Sequence, residues 1–153
     1  MVKDRYKIVK KYKKLDYNTK DLESLSTSDL KKVCDYSLRH YLLANQESTY
    51  YFCPLKEKNY STDKMHVAHF YDRGIMSTRY DLNNCHLISS QSNTWDSQIP
   101  KEGYKSLHHY EYEIWLHQKL GEKKFKELLC NSKKLITFAK EDYIKLIKKF
   151  RDE

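Results

Sequence analysis

The stretch from Met65 to Ser97, MHVAHFYDRGIMSTRYDLNNCHLISSQSNTWDS, narrows the folds open to this chain more than any other part of it. Met65 to Phe70 reads as a strand, and Arg73-Gly74 opens a loop. Asn84 to Ile88 reads as the returning strand. A helical start follows near Ser92 and has to stop before Pro100, which cannot continue a helix. Two short strands and a helix head in so small a window predict a ββα unit near residues 65–98.

The flanks are helical in pattern. Leu30, Val33, Cys34, Leu38, Tyr41 and Leu42 recur at helical spacing behind the capping candidates Ser26, Thr27, Ser28 and Asp29. Tyr50 to Phe52 reads as extended chain entering Cys53-Pro54, and residues 57–64 read as polar and turn-like. Helices are predicted from Leu107 to Leu120, ended by Gly121, then from Lys123 to Cys130 and from Ala139 to Phe150, with Thr137 a plausible cap. In the last of these Tyr143, Ile144, Leu146, Ile147 and Phe150 form an apolar stripe opposite lysines. Only three glycines and two prolines occur, which favours helices over long linkers. The reading is therefore an α+β chain, mostly helical, with a basic arm or helix over 1–24 and a single domain over 25–153 around the ββα core.

A formal net charge of +8 draws such a chain to polyanions, nucleic acid before acidic membranes. The basic head contributes Lys3, Arg5, Lys7, Lys10, Lys11, Lys13 and Lys14, fit either for a phosphate backbone or for plain solvation. There is no signal peptide and no apolar run near 20 residues, so a soluble, cytoplasmic protein with no membrane partner is expected. Cys34, Cys53, Cys85 and Cys130 lie far apart with no CxxC pair, and they read as free thiols.

The chemistry-bearing side chains of the ββα window fit a one-metal phosphodiester site. Such a site needs a base facing a water, a ligand for a divalent ion and a group that orients the base. His66 and His69 are three apart on one strand, so alternation points them to opposite faces. On the next strand the Asn84 amide can accept from one imidazole nitrogen and leave the other as the base. Asn93, at the helix head, offers a hard oxygen for Mg²⁺ or Mn²⁺; a plain helix cap is its other reading. Arg73 and Arg79 read either as phosphate clamps or as ordinary surface residues. His86, Lys101 and Lys105 are candidate DNA contacts, with His108 and His109 beside that path; a solvated rim explains the lysines and the later histidines equally well.

These residues resemble the NinG (Rap) recombination endonucleases of lambda-type phages, within the wider HNH superfamily. Ala68-His69-Phe70 matches that family's Gly-His-aromatic strand, Arg79-Tyr80 its Arg-aromatic pair, and Asn84-Cys85-His86 its Asn-x-His element. Asn93 falls where the family has the helix-head asparagine, and the resemblance covers residues 28–152. It implies a metal-dependent DNA endonuclease acting on branched or recombination-intermediate DNA such as Holliday junctions, in a phage or prophage setting, with a homodimer as one possible assembly. His69 is then the general base, Asn84 orients it, Arg79 serves the phosphate, and Asn93 holds the metal.

Two departures from the family pattern stand out. Many HNH enzymes have an acidic ligand directly before the base, but here that residue is Ala68, and His66 occupies the place of the carboxylate found in NinG proteins. His66 as a ligand tilts the site from Mg²⁺ toward Mn²⁺, Ni²⁺ or Zn²⁺, since imidazole is softer than carboxylate. The family's zinc knuckle uses two Cys-x-x-Cys pairs, which here read Cys53-Pro-Leu-Lys56 and Ser89-Ser-Gln-Ser92. With one thiolate left of four, no structural zinc is expected. The same departures define the competing reading, a non-catalytic DNA-binding protein on a decayed HNH scaffold.

Overall fold

The structure is a computed structural model that describes residues 19–45, 50–53, 58–61, 64–90 and 107–152. It is mixed α and β and mostly helical, in keeping with the α+β class. Where a single domain over 25–153 was expected, the fold divides into two compact units. One combines the described residues up to Ala44 with those from Thr137 onward, and the other spans Asn45–Ile136.

The helical unit consists of α1 (Thr19–Glu23), α2 (Thr27–Ala44) and α4 (Lys140–Asp152). Ser26 caps α2: its hydroxyl accepts from the Asp29 amide at 3.1 Å, and Asp29 adds negative charge to the first turn. α2 buries Leu30, Val33, Cys34 and Leu38, and α4 buries Tyr143, Ile144, Ile147 and Phe150. The two stripes pack on each other, with Tyr41 and Phe150 at 5.6 Å between ring centroids. Leu22 and Leu25 add to this core. The cap of α4 lies two residues beyond Thr137. There the Ala139 amide donates to the Asp142 carboxylate at 2.8 Å, so an acid one turn in satisfies the helix head.

The second unit holds β1 (Tyr50–Cys53), β2 (Lys58–Ser61), β3 (Met65–His69), β4 (Cys85–Ser89) and α3 (Leu107–Ser132). The polar stretch expected to be a turn supplies β2, which pairs antiparallel with β1 from Tyr50 opposite Ser61 to Cys53 opposite Lys58. Ladder hydrogen bonds need only a backbone, and composition hid that strand. β3 and β4 form the expected hairpin, paired antiparallel with Met65 opposite Ser89, Ala68 opposite His86 and His69 opposite Cys85. All five residues of β4 are buried.

α3 breaks at Gly121, where φ is 76° and ψ 165°, as the sequence anticipated. Phe70, just after β3, touches both halves of this helix, with Tyr112 at 5.2 Å and Phe125 at 5.7 Å between ring centroids. His117 stacks on Phe125 across the break at 3.6 Å. Tyr112, Leu116, Phe125 and Leu128 bury the inner face. Among the described residues no helix is long and apolar enough to cross a membrane.

Candidate active site

His69 ends β3 at the mouth of the loop formed by residues 70–84. That loop is a chain of turns, closed by Ile75 on Asp72, Thr78 on Ile75, Asp81 on Thr78 and Asn84 on Asp81, each amide donating to a carbonyl at 2.9–3.2 Å. Two aspartates sharpen it. Asp72 accepts from the Gly74 amide at 2.6 Å and Asp81 from the Asn83 amide at 2.9 Å. A Cβ on Gly74 would stand 2.9 Å from the Asp72 carboxylate, which would have to shift to admit a side chain there.

The imidazole of His69 is half-buried, and its Nε2 lies 2.9 Å from the Arg79 carbonyl oxygen. A carbonyl can only accept, so Nε2 carries the proton, and in the neutral ring Nδ1 holds the lone pair. The same carbonyl accepts from the Cys85 thiol at 3.1 Å. Cys85 is the cross-strand partner of His69, which puts both side chains on one face of the hairpin.

Asn84 takes a different place from the one expected of it. It closes the loop just before β4, and its fully buried amide is spent on loop backbone. Oδ1 accepts from the Tyr71 amide at 2.8 Å, while Nδ2 donates to the Tyr71 carbonyl at 3.2 Å and the Thr78 carbonyl at 3.0 Å. A buried carboxamide that meets loop peptide groups satisfies an amide on one side and two carbonyls on the other. Asn84 thus pins the Tyr71 and Thr78 peptides, while the His69 imidazole bonds the Arg79 carbonyl.

Arg79 also turns inward. It is 4% exposed, donating from Nη1 to the Arg73 carbonyl at 2.6 Å and from Nε to the Tyr80 hydroxyl at 3.2 Å. Its guanidinium braces the loop from within, where a phosphate clamp would have to face out. Arg73, by contrast, is exposed at the loop tip.

His86 lies in the interior, not on a DNA-facing surface. It is 4% exposed, its Nδ1 is 2.6 Å from the Tyr112 hydroxyl, and its ring meets Trp115 edge to face at 5.0 Å. Burial pushes its pKa down to about 3, helped by the charges of Lys119 and His69. Burial likewise holds the Tyr112 phenol well above its ordinary value, so the pair is neutral. Lys119 lies 5.0 Å from the Trp115 ring centroid, and burial lowers its pKa.

His66 sits on the face of β3 that carries Ala68 and, across the ladder, His86 and Ile88. His66 and His69 thus point away from each other, as alternation anticipated, and the hairpin alone does not bring His66 to His69. Asn93, Lys101 and Lys105 lie outside the described residues. Among the described residues no three His, Cys, Asp or Glu side chains form a group able to hold a metal ion. Of the ligand set implied by the resemblance, His66 lies on β3 and Asn93 lies outside the described residues. The sequence did not single out Cys85 or the Arg79 carbonyl, because the register that sets Cys85 opposite His69 is fixed by the pairing of the two strands. Compared with protein-family models, curated proteins and solved structures, the chain finds no match.

Proposed function

We propose that the chain is an endodeoxyribonuclease of the HNH kind, hydrolysing phosphodiester bonds in branched or recombination-intermediate DNA. The observation that carries this reading is the 2.9 Å bond from His69 Nε2 to the Arg79 carbonyl. It sets the tautomer in which Nδ1 can take a proton from an attacking water, on a strand end steadied by the Asn84-pinned loop. The net charge of +8 and the exposed Arg73 support a polyanionic substrate. The resemblance adds one divalent ion, whose chemistry would be to neutralise charge developing on the scissile phosphate. It also supplies the branched substrate and the recombination setting.

Ala68 and the inward turn of Arg79 favour a second reading, a DNA-binding protein that has lost catalysis. A plasmid-nicking and four-way-junction cleavage assay, titrated with Mg²⁺, Mn²⁺, Ni²⁺ and Zn²⁺, separates the two. Metal-dependent cleavage that falls roughly 10²- to 10⁴-fold in His69→Ala, with DNA affinity and melting temperature kept, is the expected result. Binding without cleavage under every metal supports the second reading, and full activity in His69→Ala removes His69 as the base.

A further inference from the structure

We infer that Cys85 is a positioning residue for His69, holding the Arg79 carbonyl in place as the second donor on that oxygen. The inference rests on the reading of His69 as the base. It starts from a shared acceptor: the imidazole reaches the Arg79 oxygen at 2.9 Å and the thiol reaches it at 3.1 Å. A carbonyl oxygen has two lone pairs, so the two donors fill it. The ladder register makes this convergence possible, because His69 and Cys85 are directly paired across β3 and β4.

A buried cysteine is ordinarily a small apolar filler. Cys85, 1% exposed, fills space too, but its sulfur is spent on the one backbone group that fixes the tautomer of the base. The neighbouring peptide is held in a similar way, since Asn84 Nδ2 donates to the Thr78 carbonyl at 3.0 Å. Residues 84 and 85 thereby grip two successive loop carbonyls, at 78 and 79, and His69 reads the position of the second. Loss of the thiol frees the 79 carbonyl to turn, and the imidazole then samples both tautomers.

The test compares wild type with Cys85→Ser, Cys85→Ala and the volume-keeping Cys85→Val, by ¹⁵N NMR of the histidine side chains and by the kinetics of cleavage. Serine, which keeps a donor, is expected to retain the Nε2–H pattern of His69 and the wild-type kinetics. Alanine and valine are expected to show a mixed tautomer signal and a loss of about tenfold in kcat at unchanged KM. A folded alanine or valine variant with the His69 signals unmoved overturns the inference, as does a serine variant that departs as far as they do. If wild-type protein cleaves no DNA, the hydrolase reading falls, while the NMR comparison still decides whether Cys85 sets the tautomer.

Discussion

His86 on β4 and Tyr112 on α3 meet through a 2.6 Å hydrogen bond inside a ring cluster with Trp115 and Phe70. The bond ties the hairpin to the long helix, and both groups are neutral because burial opposes the charge of either. The Nε2 atom of His86 is buried without a hydrogen-bond partner, so a proton added there would gain no compensating contact.

Stability should therefore fall in acid. Unfolded histidine titrates near 6.5, while folded His86 is held down to about 3. Between those values the unfolded chain binds a proton that the folded chain refuses. The contribution is complete above about pH 6.5 and is lost as the pH drops toward 3, at up to roughly 1.4 kcal/mol per pH unit. Urea unfolding from pH 7.5 to pH 4 measures the slope. His86→Gln, which cannot titrate, should flatten it, and equal slopes in the two proteins would assign the acid sensitivity elsewhere.

Arg79 and Arg73 should behave oppositely on DNA. Arg79→Met removes donors to the Arg73 carbonyl and the Tyr80 hydroxyl, and it should cost about 1–3 kcal/mol of stability. The salt dependence of DNA binding should stay as in wild type, because the guanidinium is buried. Arg73→Ala should leave the melting temperature alone and reduce the slope of log affinity against log salt by about 0.9, the effect of one phosphate contact. A reduced slope in Arg79→Met would mean that its guanidinium swings out to the backbone.

Asn84→Asp is nearly isosteric and should still be severe. It keeps the acceptor for the Tyr71 amide but sets carboxylate oxygen against the Tyr71 and Thr78 carbonyls, where Nδ2 had donated. A loss of at least about 2 kcal/mol is expected in chemical denaturation, with the loop amides exchanging faster than those of β3. Wild-type stability in this variant would contradict the buried network.

At Gly121 the cost of a side chain should come from the backbone alone. An added Cβ meets nothing within 4 Å, but φ is 76°. Gly121→Ala should lose about 1–3 kcal/mol and Gly121→Asn as much, since φ 76° with ψ 165° is a region that glycine alone enters readily. Equal melting temperatures for wild type and the alanine variant would show that the break does not need positive φ.

The elements legible in the sequence were those with a period or a breaker. α2 and α4 announce themselves by apolar spacing, the hairpin by its flanking turns, and the break in α3 by Gly121. β2 was hidden because Lys58–Ser61 owes its state to a partner strand and not to its own composition. In the site, the opposite facing of His66 and His69 follows from alternation alone. The partners of Asn84, Arg79 and His86 did not. Each is a polar side chain whose acceptor or donor lies on a turn or a distant helix, and a sequence shows which bonds such a group can make without showing which it makes. Buried polar residues and substrate-facing ones look alike until the packing is known.

Because α2 and α4 pair across everything from β1 to α3, the helical unit is discontinuous and the hairpin unit is an insertion within it. During synthesis the inserted unit emerges whole before α4 exists, so it can fold on local contacts while α2 waits with a bare apolar stripe. The helical unit is the last to close, and it takes both of its strands of sequence to do so. Ribosome-stalled chains ending before Lys140 should protect the β3–β4 amides from exchange and leave Leu30, Val33 and Leu38 open to chaperones.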